Sequence, residues 1–327
     1  MASKKGLPSF VGRVLVELSG TVFQVVPPNR FRPLVIGVLT GVLTAGCSAA
    51  ESGGAPASMA IEHLIATTAP PSTQPPSTPP TTTQPAATQP TATQPTRPDW
   101  LGQRPLPTDG SGFGIAGPTP PVLIDRQLPT IDSLPPPSTG KFESSIEPLS
   151  GEALARSTWR EGCPTAPADL RYVRVSFRGF DGLAHTGELI VAATVAEDIV
   201  SVFEQLWEAD FPLEEMRIVT MADLDAEPTG DGNNTGSFVC RPVTGGSSFS
   251  QHAYGLAIDV NSFHNPYVKG SLVLPELAGA YVDRSVHHPG MLADGDIVVE
   301  TFAGIGWQWG GDWTTLKDWQ HFSQNGR

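Results

Sequence analysis

An α+β domain, a small antiparallel sheet with flanking helices, is the fold class predicted for the C-terminal half of this 327-residue chain. Three observations predict it. Arg171-Tyr172-Val173-Arg174-Val175-Ser176-Phe177-Arg178 alternates in the strand period, and Gly187-Glu188-Leu189-Ile190-Val191 follows across Asp181-Gly182, which reads as a hairpin. Val195, Ile199, Val202, Phe203, Leu206 and Trp207 then recur on one face of a helical period. Strands and helices are mixed without the regular alternation that a parallel sheet requires.

The chain divides by composition into residues 1–47, 48–155 and 156–327. Residues 34–46 are apolar or small, carry no charge and follow Arg30 and Arg32. The run is short for a membrane span, which needs about 20 residues, but suits the apolar core of a signal peptide. Leu43-Thr44-Ala45-Gly46-Cys47 is similar to a bacterial lipobox, with Thr44 where Leu is more usual. The expectation is export, either as a membrane lipoprotein carrying its lipid on Cys47 and facing the cell wall, or as a secreted protein. Residues 48–155 are rich in Pro, Thr, Ser, Ala and Gln, and Thr-Gln-Pro recurs at 73–75, 83–85, 88–90 and 93–95. Such a segment lacks the apolar surface to offset its ordering entropy and is expected to be a disordered tether.

The folded part is then expected over residues 156–327, starting near Trp159. After the hairpin, Thr194 stands three residues before Glu197, the spacing of a capping box. Residues 216–221 read as a further strand. Asp294 or Asp296 is placed to cap a short helix through Ile297, Val298, Phe302 and Ile305. Residues 160–327 carry ten basic and twenty-three acidic side chains, so the net charge of −13 falls on this part. It should repel phosphate backbones, and no nucleic-acid partner is expected. Cys163 and Cys240 are its two cysteines. In an exported chain they are expected to pair as a disulfide, the alternatives being two separate buried thiols or a second metal site.

Two stretches carry chemistry. In Ser250-Gln251-His252-Ala253-Tyr254-Gly255-Leu256-Ala257-Ile258-Asp259-Val260, a strand would turn Leu256, Ile258 and Val260 to a core and Asp259 to the other side. A turn at Gly255 brings His252 back over Asp259. Taken alone, this pair reads equally as a capping histidine and a solvated aspartate. Near the C-terminus, Asp318 and His321 are three apart, close enough for a helical turn or tight bend to point both into one cavity. Zinc takes imidazole nitrogen and carboxylate oxygen, and catalytic sites use three such ligands. His252, Asp259 and His321 would fill those places, leaving Asp318 to move protons.

Ser-x-His-x-x-Gly-x-Ala-x-Asp at 250–259, followed by Asp-x-x-His at 318–321, resembles the D-alanyl-D-alanine carboxypeptidase family of zinc peptidases, whose fold is shared with the Hedgehog signalling domain. The similarity runs from roughly Cys240 to Phe322 and takes in Asn265-Pro266-Tyr267 and Gly306-Trp307-x-Trp309-Gly310-Gly311-Asp312-Trp313. The resemblance implies one zinc ion held by His252, Asp259 and His321, with Asp318 as general base. It implies action on peptidoglycan stem peptides, foremost as a D,D-carboxypeptidase. An endopeptidase of the L-Ala-D-Glu type and a non-catalytic zinc-containing wall-binding module stand as alternatives. The family also uses an arginine ahead of the first zinc-binding histidine to polarise the scissile carbonyl. The usual Ser-Gly-Tyr-Arg-Ser-like segment is absent here, so Arg241 is the candidate and Arg217 the second choice. His264, His287, His288 and His185 are expected to be structural or exposed, and most of Trp307, Trp309, Trp313 and Trp319 to be core.

Overall fold

The hairpin that the sequence predicts forms the longest pair of strands in the computed structural model, which describes residues 95–110 and 112–327. In chain order the elements are β1 (Ser144–Pro148), α1 (Gly151–Arg156), β2 (Leu170–Arg178), β3 (Ala184–Ala192), α2 (Ala196–Glu208), β4 (Glu215–Met216), α3 (Met221–Asp225), β5 (Asn234–Thr235), β6 (Ala257–Asp259), β7 (Tyr267–Lys269), β8 (Leu272–Leu274), α4 (Ile297–Gly304), β9 (Gln308–Trp309), β10 (Lys317–Asp318) and β11 (His321–Ser323). Three antiparallel sheets of three strands, ordered β1-β2-β3, β10-β7-β8 and β6-β11-β9, and a parallel β4-β5 pair make the domain α+β. Among the described residues no helix is long and apolar enough to cross a membrane.

The main core lies between the hairpin, α2 and the β6-β11-β9 sheet. Val173, Val175, Leu189 and Val191 meet Ile199, Val202, Phe203 and Leu206 on one side and Ile258, Val260 and Phe322 on the other. Every apolar position predicted for the helical face is buried. Each such side chain contributes about 1.5–3 kcal/mol on removal from water. Phe302 of α4 stacks on Phe322, with ring centroids 4.2 Å apart, so the strand carrying His321 is clamped from behind by the core.

Several local expectations are corrected. No side-chain cap opens α2: its N-terminal flanking residue is Val195, and Thr194 lies one position too far out. The strand expected at 216–221 is only two residues long. Thr220 instead accepts from Asp223 N while Asp223 accepts from the Thr220 N–H, a capping box that starts α3. At α4 the choice falls on Asp296, whose carboxylate accepts from the N–H groups of Val298 and Val299. Cys163 and Cys240 form the expected disulfide, their Cα atoms 5.9 Å apart.

The largest correction concerns the tether. Residues 1–94, with the signal segment, Cys47 and the Thr-Gln-Pro repeats, lie outside the described residues. From Pro95 onward, however, the stretch assigned to the tether packs on the domain. β1 pairs with β2 from Ser144↔Val175 to Pro148↔Arg171. Leu123 and Leu128 join Phe263, Tyr281 and Met291 in a second core cluster, edged by Trp100, Leu101 and Leu106. Arg126, only 1 % exposed, forms an ion pair with the buried Glu214 at 2.6 Å. The folded part therefore begins well before residue 156. Average composition hid these apolar anchors, and the prolines between them restrict the unfolded chain and lower the entropy lost on docking.

Candidate metal centre and cavity

His252 sits on a 3-10 turn, Gln251–Tyr254, whose first N–H groups are met by Ser250: its hydroxyl accepts from His252 N. Gly255 ends the turn at φ 69°. A Cβ there would also lie 2.5 Å from the backbone nitrogen of Ala192, and that nitrogen donates to Gly255 O at 2.8 Å. Glycine is thus required twice over, for the left-handed backbone and for the close approach of β3. Asp259 ends β6 and His321 begins β11, and the two are direct register partners. Cross-strand pairing, with the preceding turn, brings the three side chains together.

His252 Nε2 lies 3.2 Å from His321 Nδ1 and 3.2 Å from Asp259 Oδ1; His321 Nδ1 lies 3.0 Å from Asp259 Oδ1. The far nitrogens are committed elsewhere. His252 Nδ1 donates to Ser237 O and His321 Nε2 donates to Arg327 O. Those bonds leave Nε2 of His252, Nδ1 of His321 and the Asp259 carboxylate as three electron-pair donors facing one point. Such a cluster needs positive charge between its members. Zinc–nitrogen bonds of about 2.0–2.1 Å place ligands of a tetrahedral ion about 3.3–3.4 Å apart, close to the observed triangle. The donor set and its spacing fit a zinc ion. With protons as the only positive charge, burial works to raise the Asp259 pKa, but His252 and His321 outweigh it and hold the carboxyl far below its ordinary range. Burial lowers the His321 pKa, and Asp259 more than reverses this.

Asp318 lies on β10, three residues before His321 and joined to it through Trp319 and Gln320. The tight bend, rather than a helical turn, is what the structure contains. Gly310 lets this strand close in, because a Cβ there would lie 2.5 Å from Asp318 O. Asp318 is partly buried, and its Oδ1 is enclosed without a hydrogen-bond partner. Burial, reinforced by the charge of Asp259, pushes its pKa up to about 7 against the opposing pull of His321, Gln320 and Arg241. A carboxyl poised near neutrality can take up and release a proton at physiological pH.

The three donors and Asp318 open on one cavity of about 680 Å³, also lined by Arg241, Tyr267, Glu276 and Trp313. Arg241 lies on the cavity wall, its guanidinium donating to Pro242 O at 3.2 Å in an exposed hydrogen bond. Arg217 does not: Glu215 and Asp223 hold it as ion pairs, and it is not among the cavity residues. His264 is buried and bonded to Asn233 and Arg126 O. His185 lies between Asp132 and Asp181, and His288 pairs with Asp125. Trp307 and Trp309 are core, and Trp319 packs at its edge. Trp313 lines the cavity, its ring centroid 5.6 Å from that of His321. Sequence reasoning missed Ser237, Tyr267, Glu276 and the carbonyl of Arg327. Their roles depend on strand register and backbone carbonyls, which leave no side-chain signature.

Residues 244–324 match the family model described as D-alanyl-D-alanine carboxypeptidase. His252, Asp259, Asp318 and His321 all fall inside that span, and Arg241 lies three positions before it. No curated protein and no solved structure matches the chain.

Proposed function

We propose, on the premise that residues 244–324 belong to the D-alanyl-D-alanine carboxypeptidase family of zinc peptidases, that this chain is a zinc-dependent hydrolase of peptidoglycan stem peptides. Its leading activity is D,D-carboxypeptidase cleavage. The observation that carries the reading is the triangle of His252 Nε2, Asp259 Oδ1 and His321 Nδ1 beside the unpartnered carboxyl oxygen of Asp318. His252, Asp259 and His321 would hold the ion. Zinc, when bound, supplies Lewis acidity that polarises a carbonyl and acidifies a water.

The chain's own residues account for the proton movements. Asp318 accepts a proton from the attacking water as its oxygen bonds to the scissile carbonyl carbon. It then delivers that proton to the leaving amine as the C–N bond breaks. Arg241 donates to the carbonyl oxygen as negative charge develops there, a contribution of about 3 kcal/mol in comparable sites.

The place of action follows from the other end of the chain. The uncharged run at 34–46 and Cys47 support export, as a lipoprotein held at the membrane or as a secreted protein. The test of function is hydrolysis of defined muropeptides by the zinc-loaded chain. Release of D-Ala from a pentapeptide stem is expected. Cleavage at L-Ala-D-Glu alone would make it the endopeptidase, and no cleavage of any stem bond would leave a binding module.

A further inference from the structure

Glu276 is an acidic side chain in an unusual position. It is 6 % exposed, yet it lines the cavity. Among the described residues the two other buried glutamates each have an arginine, Glu188 with Arg156 and Glu214 with Arg126. Among the described residues Glu276 has one partner, the Gly114 N–H, which donates to Oε1 at 2.7 Å. Burying a carboxylate with a single neutral donor is costly. A cation arriving through the cavity would meet the rest of its hydrogen-bonding capacity.

Its position relative to the chemistry can be read from the β10-β7-β8 sheet. Asp318 pairs with Tyr267 and Tyr267 with Leu274. The three stand in one row across the sheet, and all three line the cavity. Two strand spacings separate Asp318 from Leu274, about 10 Å, and Glu276 follows two residues on. An extended peptide rises about 3.3 Å per residue, so Leu274 stands about three residues' length from the base, with Glu276 just beyond it in the chain. The wall carrying it is held from behind by the segment before residue 131. Leu277 N donates to Gly230 O at 2.9 Å, Leu277 O accepts from Thr119 Oγ1 at 2.6 Å, and Leu106 N donates to Pro228 O at 2.8 Å. A cation site on a wall anchored in this way is preorganised.

From this arrangement we infer that Glu276 is a specificity residue that binds an ammonium group of the peptide substrate in the cavity, on the wall that Gly114 and Thr119 hold by hydrogen bonds. The inference rests on the peptidase reading for the nature of the ligand. An ammonium can come from a lysine-type side chain or from a free α-amine, and separate acetylation of each distinguishes them.

Binding and turnover are measured apart, so that the two readings can fail separately. Zinc-loaded Asp318→Asn chain is titrated calorimetrically with Ala-D-γ-Glu-Lys-D-Ala-D-Ala, its Nε-acetyl form and its Nα-acetyl form. One of the two acetylations is expected to weaken binding about tenfold to a hundredfold, the range of one charge-assisted hydrogen bond. Adding Glu276→Gln, which keeps an acceptor for the Gly114 N–H, is expected to bring that ratio to about one. Glu276→Asp should restore part of it. Equal binding of all three peptides by the Glu276 chain would overturn the inference, even were the Gln variant unable to fold. A ratio that survives Glu276→Gln would also overturn it. Failure of the native chain to cleave any of these peptides would count instead against the peptidase reading.

Discussion

Replacing Arg126 by Met tests whether the segment before residue 156 belongs to the folded domain in solution. Methionine keeps much of the apolar stem over the Phe263 ring, which the guanidinium carbon approaches to 4.6 Å, so the loss is chiefly polar. Three hydrogen bonds disappear: Nε to Glu214 Oε2 at 2.6 Å, Nη2 to Oε1 at 2.8 Å, and Nη1 to Asp231 O at 2.7 Å. Removing one partner of a buried pair costs about 3–5 kcal/mol. Glu214 keeps Arg97 at 2.9 Å and Asn233 at 2.8 Å, which places the loss at the lower end, about 3 kcal/mol. The pH dependence has a definite sign. Burial works to raise the Glu214 pKa, but Arg126 outweighs it and the carboxyl sits below its ordinary value. Its contribution is present above about pH 4.5 and fades as pH falls through the lowered folded value. The variant should therefore differ most from the native chain at pH 7, and less below pH 4.5. Equilibrium urea unfolding at both pH values measures this, with an unchanged m-value if the same surface is exposed. A change below about 1 kcal/mol at pH 7 would show that the docked segment contributes little, because a buried carboxylate that loses its most buried cation cannot be that cheap.

Two further predictions concern the same scaffold. His264 is held neutral by geometry, with Nδ1 accepting from Asn233 Nδ2 and Nε2 donating to Arg126 O, and burial, the leading cause, lowers its pKa to about 4. Its stabilising effect is whole above pH 6.5 and should be lost as pH falls toward 4, by about 3 kcal/mol at most; His264→Gln should flatten that part of a stability–pH curve. Reduction of the Cys163–Cys240 bridge, which spans 77 positions, should lower stability by about 4.5 kcal/mol on the chain-entropy account, read as a shift in urea midpoint between the oxidised chain and a Cys163→Ser/Cys240→Ser variant.

Much of the domain was legible because its signals are local. The hairpin around Asp181-Gly182 and the apolar face of α2 follow from period alone, and Asp296 had both a capping side chain and an apolar run behind it. Thr194 failed because a capping spacing is cheap to match by chance and the tertiary packing of α2 decides where the helix starts. The site residues were legible as types at fixed spacings. Their meeting depends on the register His321↔Asp259, a non-local pairing that period cannot supply. Sequence placed Arg241 ahead of Arg217 without a matching segment to decide between them, and Arg217 is held in ion pairs with Glu215 and Asp223, away from the cavity. The segment after Pro95 misled for a compositional reason: a few anchors, Leu123, Arg126 and Leu128 among them, dock a stretch whose average reads as disordered.

The central claim is that His252, Asp259 and His321 hold a zinc ion while Asp318 moves the proton. Zinc content and D-Ala release, measured on the same samples of native chain and of His252→Ala, Asp259→Ala, His321→Ala and Asp318→Asn variants, test it most directly. One zinc per native chain is expected, and its loss from the first three variants. Asp318→Asn should retain the ion, with turnover reduced by about a hundredfold or more. Stoichiometric zinc in the alanine variants, or native turnover in Asp318→Asn, would contradict it.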